Sequence, residues 1–155
     1  MAHIHEKIDF TVNAFLVYNN TILMVSHKEL GIWLPVGGHI ELDEDPEEAL
    51  RREVKEESGI SDFEIVDVNK SRVNFQSNGF RSLPSPLFFD IHKITESHRH
   101  VGLNYACRAL SDKVVLNKKE SKDIRWFTLS DLDDAQYEMP ENIRYYAKEA
   151  LRIVS

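Results

Sequence analysis

Runs of apolar residues at strand-like spacing follow one another along the chain and predict a protein rich in β-strands. Residues 10–18 are rich in Val and Phe, and residues 21–25 form a second apolar run after Asn19 and Asn20, which favour a turn. Residues 31–38 contain Gly and Pro at close intervals and are predicted to form a loop or a short extended piece. Further strands are predicted at residues 63–68, 87–94, 103–110 and 124–128.

One helix has clear start and stop signals in the sequence. Asp45 is a favourable N-cap, Pro46 occupies the first helical position, and Glu48 is placed to complete a capping box. Gly59 is predicted to end this helix, because glycine adopts the left-handed conformation without steric cost.

Two further helical segments are predicted near the end of the sequence. Ser130 is placed to cap a short helical turn, and a longer amphipathic helix is predicted over residues 140–153. Strands mixed with a few helices predict an α/β (α+β) fold in which helices sandwich a mixed β-sheet. The inward face of the long helix is predicted to carry Ile143, Ala147, Ala150 and either Leu151 or Val154.

Length and composition predict one soluble domain over residues 1–155. The sequence has no internal repeat or linker, no apolar run of the roughly 20 residues that span a bilayer, and no apolar core of a secretory signal. Cys107, the one cysteine, excludes an intrachain disulfide and lies in an apolar strand pattern typical of inert core. These features together predict a cytoplasmic protein that does not associate with membranes.

The net charge of −7 argues against binding to nucleic acid, which usually requires a basic patch. The lysines at residues 113–122 are interrupted by Glu120 and followed by Asp123. A small anionic substrate remains compatible with this charge, because a bound divalent cation reverses the local field.

A group of carboxylates on the first predicted helix suggests its chemistry. Glu53, Glu56 and Glu57 stand at positions i, i+3 and i+4 and fall within about 100° of one helix face. Like charges at this spacing destabilise a helix, and a hard cation such as Mg²⁺ offsets that cost while leaving positions open for water and phosphate. The alternative is a solvated acidic face that pairs with neighbouring Arg and Lys side chains.

Residues 38–60, GHIELDEDPEEALRREVKEESGI, resemble the Nudix box, G-x5-E-x7-R-E-U-x-E-E-x-G-U, in which U is a bulky aliphatic residue. The chain is therefore identified as a member of the Nudix hydrolase family. The resemblance implies the Nudix fold and attack by water on phosphorus in a diphosphate linked to an organic group X. Every specified position of the box is filled, by Gly38, Glu44, Arg52, Glu53, Val54, Glu56, Glu57, Gly59 and Ile60.

The same resemblance implies a site for Mg²⁺ or Mn²⁺. Glu53 and Glu57 are expected to bind the metal, and Glu56 to bind it or to lie beside a ligand. The carbonyl of Gly37 is a further expected ligand. The sequence contains no Walker motif, so the phosphates are expected to be held by metal rather than by a backbone cradle.

Catalytic roles follow from the box and from one later loop. Arg52 is expected to orient a glutamate, and Glu44 to support it through a salt bridge. The general base varies within the family between a box glutamate, such as Glu56, and an acid on a later loop. In this sequence the loop candidate is Glu120, with Asp123 as its rival and an exposed loop acid as the alternative.

The segment around His92 is the most distinctive part of the sequence. His98 and His100 would share one face of a strand, where a pair of imidazoles can bind Zn²⁺ or phosphate or respond to pH. The segment is similar to a Nudix subgroup with the pattern H-x-H-x-D-L-x-Y, but Gly102 stands in place of the aspartate. A polar hairpin with ordinary histidines is the alternative.

Other residues are candidates for reading the substrate. Trp33, Phe75 and Phe80 could stack on a base, and Arg72 and Arg81 could contact phosphate. For each of them core packing or a surface position is the alternative.

The markers of several substrate subclasses are missing from the sequence. A nucleoside triphosphate or another small phosphorylated nucleotide is therefore the default substrate. A catalytically silent Nudix module that binds nucleotides is one alternative function, and an isomerase on the same fold is another. A homodimer is expected only by analogy with relatives.

Overall fold

The computed structural model describes residues 4–155. Its first strands, β1 (Ile8–Tyr18) and β2 (Thr21–His27), form the predicted hairpin, with a left-handed backbone at Asn19 and Asn20. The other strands are β3 (Trp33–Leu34), β4 (Val36–His39), β5 (Phe63–Ile65), β6 (Gln76–Ser77), β7 (Phe80–Arg81), β8 (Phe88–Lys93), β9 (Arg99–Ala109) and β10 (Ser121–Phe127). The helices are α1 (Pro46–Ser58), α2 (Leu129–Leu132) and α3 (Glu141–Val154).

The main sheet is mixed and has β1 near its centre. Its strand order is β10-β2-β1-β9-β5, with β3 paired to β2, β4 to β1 and β8 to β9. The β1–β9 pair is parallel, from Ile8 opposite Arg99 to Val17 opposite Arg108, whereas the other pairs in this sheet are antiparallel. The long parallel ladder brings residues far apart in sequence to the same end of the sheet.

Helices cover both faces of this sheet, which confirms the predicted architecture. Side chains alternate between the two faces of a strand, so neighbouring residues of β1 enter different cores. Leu50 and Val54 of α1 pack with Val12, Leu16 and Tyr105, and Ala147 and Leu151 of α3 pack with Phe15 and Ala106. The residues predicted for the inner face of α3, Ile143, Ala147, Ala150, Leu151 and Val154, are all buried.

Helix α1 has the ends that the sequence predicted. Asp45 accepts a hydrogen bond from the backbone N–H of Glu48, whose side chain accepts one from the N–H of Asp45. Gly59 has φ of 74° and donates its N–H to the carbonyl of Lys55. The start and end of the box helix are therefore fixed by local interactions.

Several predicted boundaries were wrong. Thr128, rather than Ser130, caps α2, because Thr128 and Asp131 form a reciprocal capping box. Strand β5 is shorter than predicted, since it pairs with only a short stretch of β9. Strand β9 begins at Arg99, well before residue 103, because the ladder with β1 continues through a polar stretch. The β6–β7 hairpin was not predicted, although Asn78 and Gly79, with φ of 51° and 78°, form its turn.

None of the helices in residues 4–155 has both the length and the apolar composition needed to cross a membrane.

Candidate active site

Helix α1 directs its carboxylates toward β4. Glu53 and Glu57 are buried, with 2% and 9% of their surface exposed, whereas Glu56 remains exposed. The N–H of Gly37 donates to Oε2 of Glu57 over 3.1 Å. Two acidic side chains of the box are thus held in a poorly solvated space between the helix and the sheet.

The glycine pair in β4 allows this close approach. A Cβ on Gly37 would lie 2.1 Å from the carbonyl oxygen of Val12, and a Cβ on Gly38 would lie 2.3 Å from Oε1 of Glu53. The first contact is with backbone and cannot relax, while the second is with the end of a side chain that can move. The two glycines therefore serve different purposes, one for the sheet and one for the position of a carboxylate.

Matched alanine substitutions should separate these purposes. Gly38→Ala should displace the Glu53 carboxylate and reduce turnover by about 10- to 100-fold, the range for losing support of a metal ligand, with little loss of thermal stability. Gly37→Ala should instead destabilise the fold by about 1–3 kcal/mol, since strand backbone must move to avoid overpacking. Thermal unfolding and steady-state turnover measure both effects. Wild-type turnover in Gly38→Ala would contradict this placement of Glu53.

Glu120, in the loop before β10, joins the two buried glutamates. Burial raises the pKa of Glu57, and the carboxylates of Glu53 and Glu120 raise it further, the latter from hydrogen-bonding distance. Burial likewise raises the pKa of Glu53, against the opposing effect of Arg52. Asp123 instead lies on β10, where its carboxylate accepts the N–H of Ile124 over 2.8 Å. The structure thus brings Glu120, rather than Asp123, to the box glutamates.

Arg52 connects the acidic residues around the site. Its Nη2 donates to Oε2 of Glu44 over 2.9 Å and to the carbonyl of His39 over 3.0 Å. Its Nη1 donates to Oε1 of Glu53 over 2.8 Å and to Oε2 of Glu56 over 3.3 Å. The hydrogen bonds to Glu44 raise the pKa of Arg52 and lower that of Glu44, so both stay charged. One guanidinium thereby fixes the orientation of several acceptors.

An open cleft of about 500 Å³ lies against Arg52, Glu53 and Glu56. Glu41 and Asp43 also line it, so acidic groups dominate its charge. A phosphorylated molecule would be repelled from such a cleft unless a cation were also bound.

Within residues 4–155, four ionisable side chains meet at the end of the sheet, on the other side of β4. Nε2 of His39 lies 3.1 Å, and Nε2 of His98 3.3 Å, from Oδ2 of Asp9. The ring centroid of His100 is 4.9 Å from that of His39 and 5.2 Å from that of His98. Burial and the neighbouring imidazoles lower the pKa of His100 to about 4, so its ring is neutral at neutral pH. His98 and His100 thus belong to a largely buried cluster at one end of the β8–β9 hairpin.

A second polar group lies beside this cluster. The carboxylate of Asp90 accepts hydrogen bonds from Nδ2 of Asn104 over 3.0 Å and from the hydroxyl of Tyr146 over 2.9 Å. It also lies 3.0 Å from Nδ1 of His92. A Cβ on Gly102 would be 3.1 Å from Oδ1 of Asp90. A carboxylate from β8 therefore lies beside the position where the H-x-H-x-D pattern has its own acid.

Three of the remaining candidate residues lie on or next to the β6–β7 hairpin, and the others are elsewhere. Phe80 is 58% exposed on the β6–β7 hairpin and meets Phe75 edge to face, with 6.3 Å between ring centroids. Arg81 on the same hairpin forms ion pairs with Asp45 and Glu47 at the start of α1. The other candidates lie elsewhere: Trp33 packs against Phe127 and Tyr137, Arg72 pairs with Asp67, and Cys107 is fully buried.

Asp9, His39 and Asp90 were not predicted from the sequence to belong to a site. His39 directly follows the box glycine, and Asp9 lies one residue before the predicted start of the first strand. Extending the alternation of that strand by one residue would have placed Asp9 on the same face as Thr11. Its pairing with His100 depends on the β1–β9 register, which a single sequence does not specify.

Comparisons with known proteins identify the family and the fold. A family model described as the NUDIX domain matches residues 7–149. A NUDIX-family hydrolase from Clostridium perfringens is 31% identical, with 95% of this chain and 98% of that chain covered and a TM-score of 0.81. Two more distant structures share the fold. A MutT NUDIX hydrolase from Burkholderia pseudomallei is 22% identical (92% and 98% covered, TM-score 0.66), and an Ap4A hydrolase from C. elegans is 15% identical (94% and 97% covered, TM-score 0.67). Comparison with curated protein sequences gives no match.

Proposed function

Because the chain belongs to the Nudix hydrolase family, we propose that it hydrolyses a diphosphate linkage in a small nucleotide with the help of a divalent cation. The default substrate is a nucleoside triphosphate. A single folded unit over residues 1–155 is part of this proposal.

The convergence of Glu53, Glu57 and Glu120 is the observation that supports it most directly. Two of these carboxylates are buried, and the pKa of both is raised by burial and by the neighbouring acids. Arg52 compensates Glu53, whereas its hydrogen-bond partners within residues 4–155 do not include Glu57. Oxygen-rich, negatively charged positions of this kind fit Mg²⁺ or Mn²⁺. Glu53, Glu57 and the Gly37 carbonyl are the proposed ligands, with Glu56 as a ligand or a direct neighbour of one.

Each side chain then has a defined task. Arg52 and Glu44 hold the Glu53 carboxylate in place, which limits the reorganisation needed when substrate binds. Glu120 is the proposed general base, because it reaches the box glutamates from a separate loop and can accept a proton from the attacking water. A bound divalent cation would supply neutralisation of the diphosphate charge and a lower pKa for that water.

Substrate selection is proposed to involve two surfaces. The acidic cleft beside Arg52 favours a phosphate chain that arrives with a cation. The exposed ring of Phe80 offers a face for a nucleobase, and Arg81 is a candidate phosphate contact that would exchange its ion pairs with Asp45 and Glu47. His98 and His100 remain candidates for substrate selection, as residues that support the cleft.

The direct test is a substrate panel. Purified protein is incubated with Mg²⁺ and nucleoside triphosphates, nucleotide sugars, ADP-ribose or dinucleoside polyphosphates, and phosphorus-containing products are followed with and without EDTA. Cleavage that disappears with EDTA and concentrates on one compound is the expected result. Tight binding of one compound without turnover would instead identify a silent binding module, and conservation of the diphosphate in a changed product would identify an isomerase.

The assignment of the base has its own test. Glu120→Gln should lower kcat by about 10²-fold or more, the usual contribution of a general base, without a matching change in thermal stability. Asp123→Asn is the matched control, because Asp123 is a nearby acid on β10 whose carboxylate accepts the N–H of Ile124. Equal kinetics for Glu120→Gln and wild type would show that a box glutamate or another group acts as the base.

A further inference from the structure

Two imidazoles converge on one buried carboxylate oxygen at the end of the sheet. Nε2 of His39 and Nε2 of His98 lie 3.1 and 3.3 Å from Oδ2 of Asp9, of which only 1% is exposed. His100 is the register partner of Asp9 in the parallel β1–β9 ladder. Asp9, His98 and His100 each offer one atom that could bind a metal, and these three atoms lie within 4.8 Å of one another.

We propose that Asp9, His98 and His100 bind a divalent transition-metal ion of the Zn²⁺ type, at a site distinct from the box glutamates. His39, whose ring contacts the same carboxylate, is the fourth group available to this ion. The ion would tie β1 to the beginning of β9.

The orientation of His98 is the first argument for this site. Its Nδ1 lies 2.9 Å from the carbonyl oxygen of Glu6, which can only accept, so Nδ1 carries the proton. Nε2 is then the ring nitrogen that faces Oδ2 of Asp9 across 3.3 Å. In the neutral ring the lone pair of Nε2 and the carboxylate oxygen can both bind one cation placed between them. Metal-binding histidines commonly donate their second N–H to a backbone carbonyl in this way.

The second argument is geometric. Zn²⁺ binds imidazole nitrogen and carboxylate oxygen at about 2.0–2.2 Å, so ligand atoms around a tetrahedral ion stand about 3.3–3.6 Å apart. The separations in the cluster, 3.3 Å from His98 Nε2 to Asp9 and up to 4.8 Å overall, require inward shifts of about an ångström at most. Side-chain rotation supplies such shifts while the sheet stays fixed.

The donor set provides the third argument. Nitrogen ligands favour zinc and neighbouring transition metals, whereas Mg²⁺ prefers oxygen. The box offers carboxylates and a carbonyl, but the second cluster offers imidazoles with a single carboxylate. One chain would therefore hold two sites with opposite metal preferences. They are close in space, since Arg52 donates to the carbonyl of His39 and to the carboxylate of Glu53.

The experiment measures Zn²⁺ directly. Full-length protein stripped with a chelator is titrated with Zn²⁺ by calorimetry, and with Co²⁺ as an absorbing substitute. A Glu53→Gln/Glu57→Gln background removes the box site. We expect about one equivalent of Zn²⁺ to bind in this background, tetrahedral Co²⁺ bands to appear, and thermal stability to rise with Zn²⁺. His98→Gln with His100→Gln should abolish all three, and His92→Gln, the neighbouring exposed imidazole, should retain them.

X-ray absorption of the zinc-loaded wild-type protein identifies the atoms that bind zinc, and it does not depend on these variants. Scattering from at least two imidazole ligands is expected. All-oxygen coordination, no bound Zn²⁺, or zinc binding unchanged by the His98 and His100 substitutions would each overturn the proposal. The protonation of His98 in zinc-free protein can be measured by ¹⁵N NMR at neutral pH. If the ring is doubly protonated and the protein also binds no added Zn²⁺, a plain ion pair with Asp9 accounts for the cluster instead.

Discussion

Glu57→Gln should lose metal-dependent turnover by about 10³-fold or more, which corresponds to the several kcal/mol that a correctly held metal contributes. The same change should raise the thermal stability of the metal-free protein. Burial beside Glu53 and Glu120 raises the pKa of Glu57 to about 9. At neutral pH the folded metal-free protein must therefore take up a proton there that the unfolded chain does not hold, and the neutral amide removes this cost. Gln can still accept the hydrogen bond from the N–H of Gly37.

Turnover and unfolding in EDTA measure the two halves of this prediction. Glu64→Gln is the control, because Glu64 is an exposed glutamate paired with Arg108 away from the box. Opposite signs for activity and stability would be hard to explain by general damage to the fold. Unchanged turnover in Glu57→Gln would mean that other groups hold the cation.

Arg52→Lys should be almost as damaging to catalysis, although it keeps the charge. A lysine cannot reproduce the planar set of donors that reaches Glu44, Glu53, Glu56 and the carbonyl of His39. Turnover should fall by about 10- to 100-fold because the carboxylates lose their fixed orientation. The free energy of unfolding should fall by about 1–3 kcal/mol. This loss is smaller than that for a fully buried ion pair, because Arg52 is partly exposed.

Arg51→Lys is the matched control for this variant. Arg51 is the preceding residue of the same helix, but its ion pair with Glu47 is a surface i,i+4 pair worth only about 0.3–0.5 kcal/mol. Circular dichroism should show the same helix content in both variants. If the Arg52→Lys protein were as active as the Arg51→Lys protein, Arg52 would be an ordinary surface residue.

The local parts of the site were predictable from sequence because local interactions determine them. Asp45, Glu48 and Gly59 fix α1 through hydrogen bonds between near neighbours, and helical periodicity then places Glu53 and Glu57 on one face. The box spacing also identified Gly38 without the structure. The structure added its physical reason, the contact of the Glu53 carboxylate with the backbone of β4.

The parts that depend on strand register were not predictable. The pairing of Asp9 with His100 follows from a parallel crossover whose register no local pattern in the sequence specifies. Strand β9 was placed too late because its first residues, RHVG, include two polar residues and a glycine and show no apolar run. The β6–β7 hairpin was missed for a different reason. Its turn residues Asn78 and Gly79 were visible, but each strand is too short to show alternation.

The central position of β1 has a consequence for the order in which the protein matures during synthesis. Asp9 pairs with His100, and Asn13 hydrogen-bonds to Asn104 across a sequence separation of 91 residues. Because synthesis proceeds at about 5–20 residues per second, β9 is made roughly 5–20 s after β1. Helix α1 can form early through its own caps. The carboxylate site between α1 and β4 cannot become rigid until β9 has been synthesised and has paired with β1. Nascent chains arrested before residue 99 should therefore be sensitive to proteases and inactive, whereas chains that expose β10 should be protected.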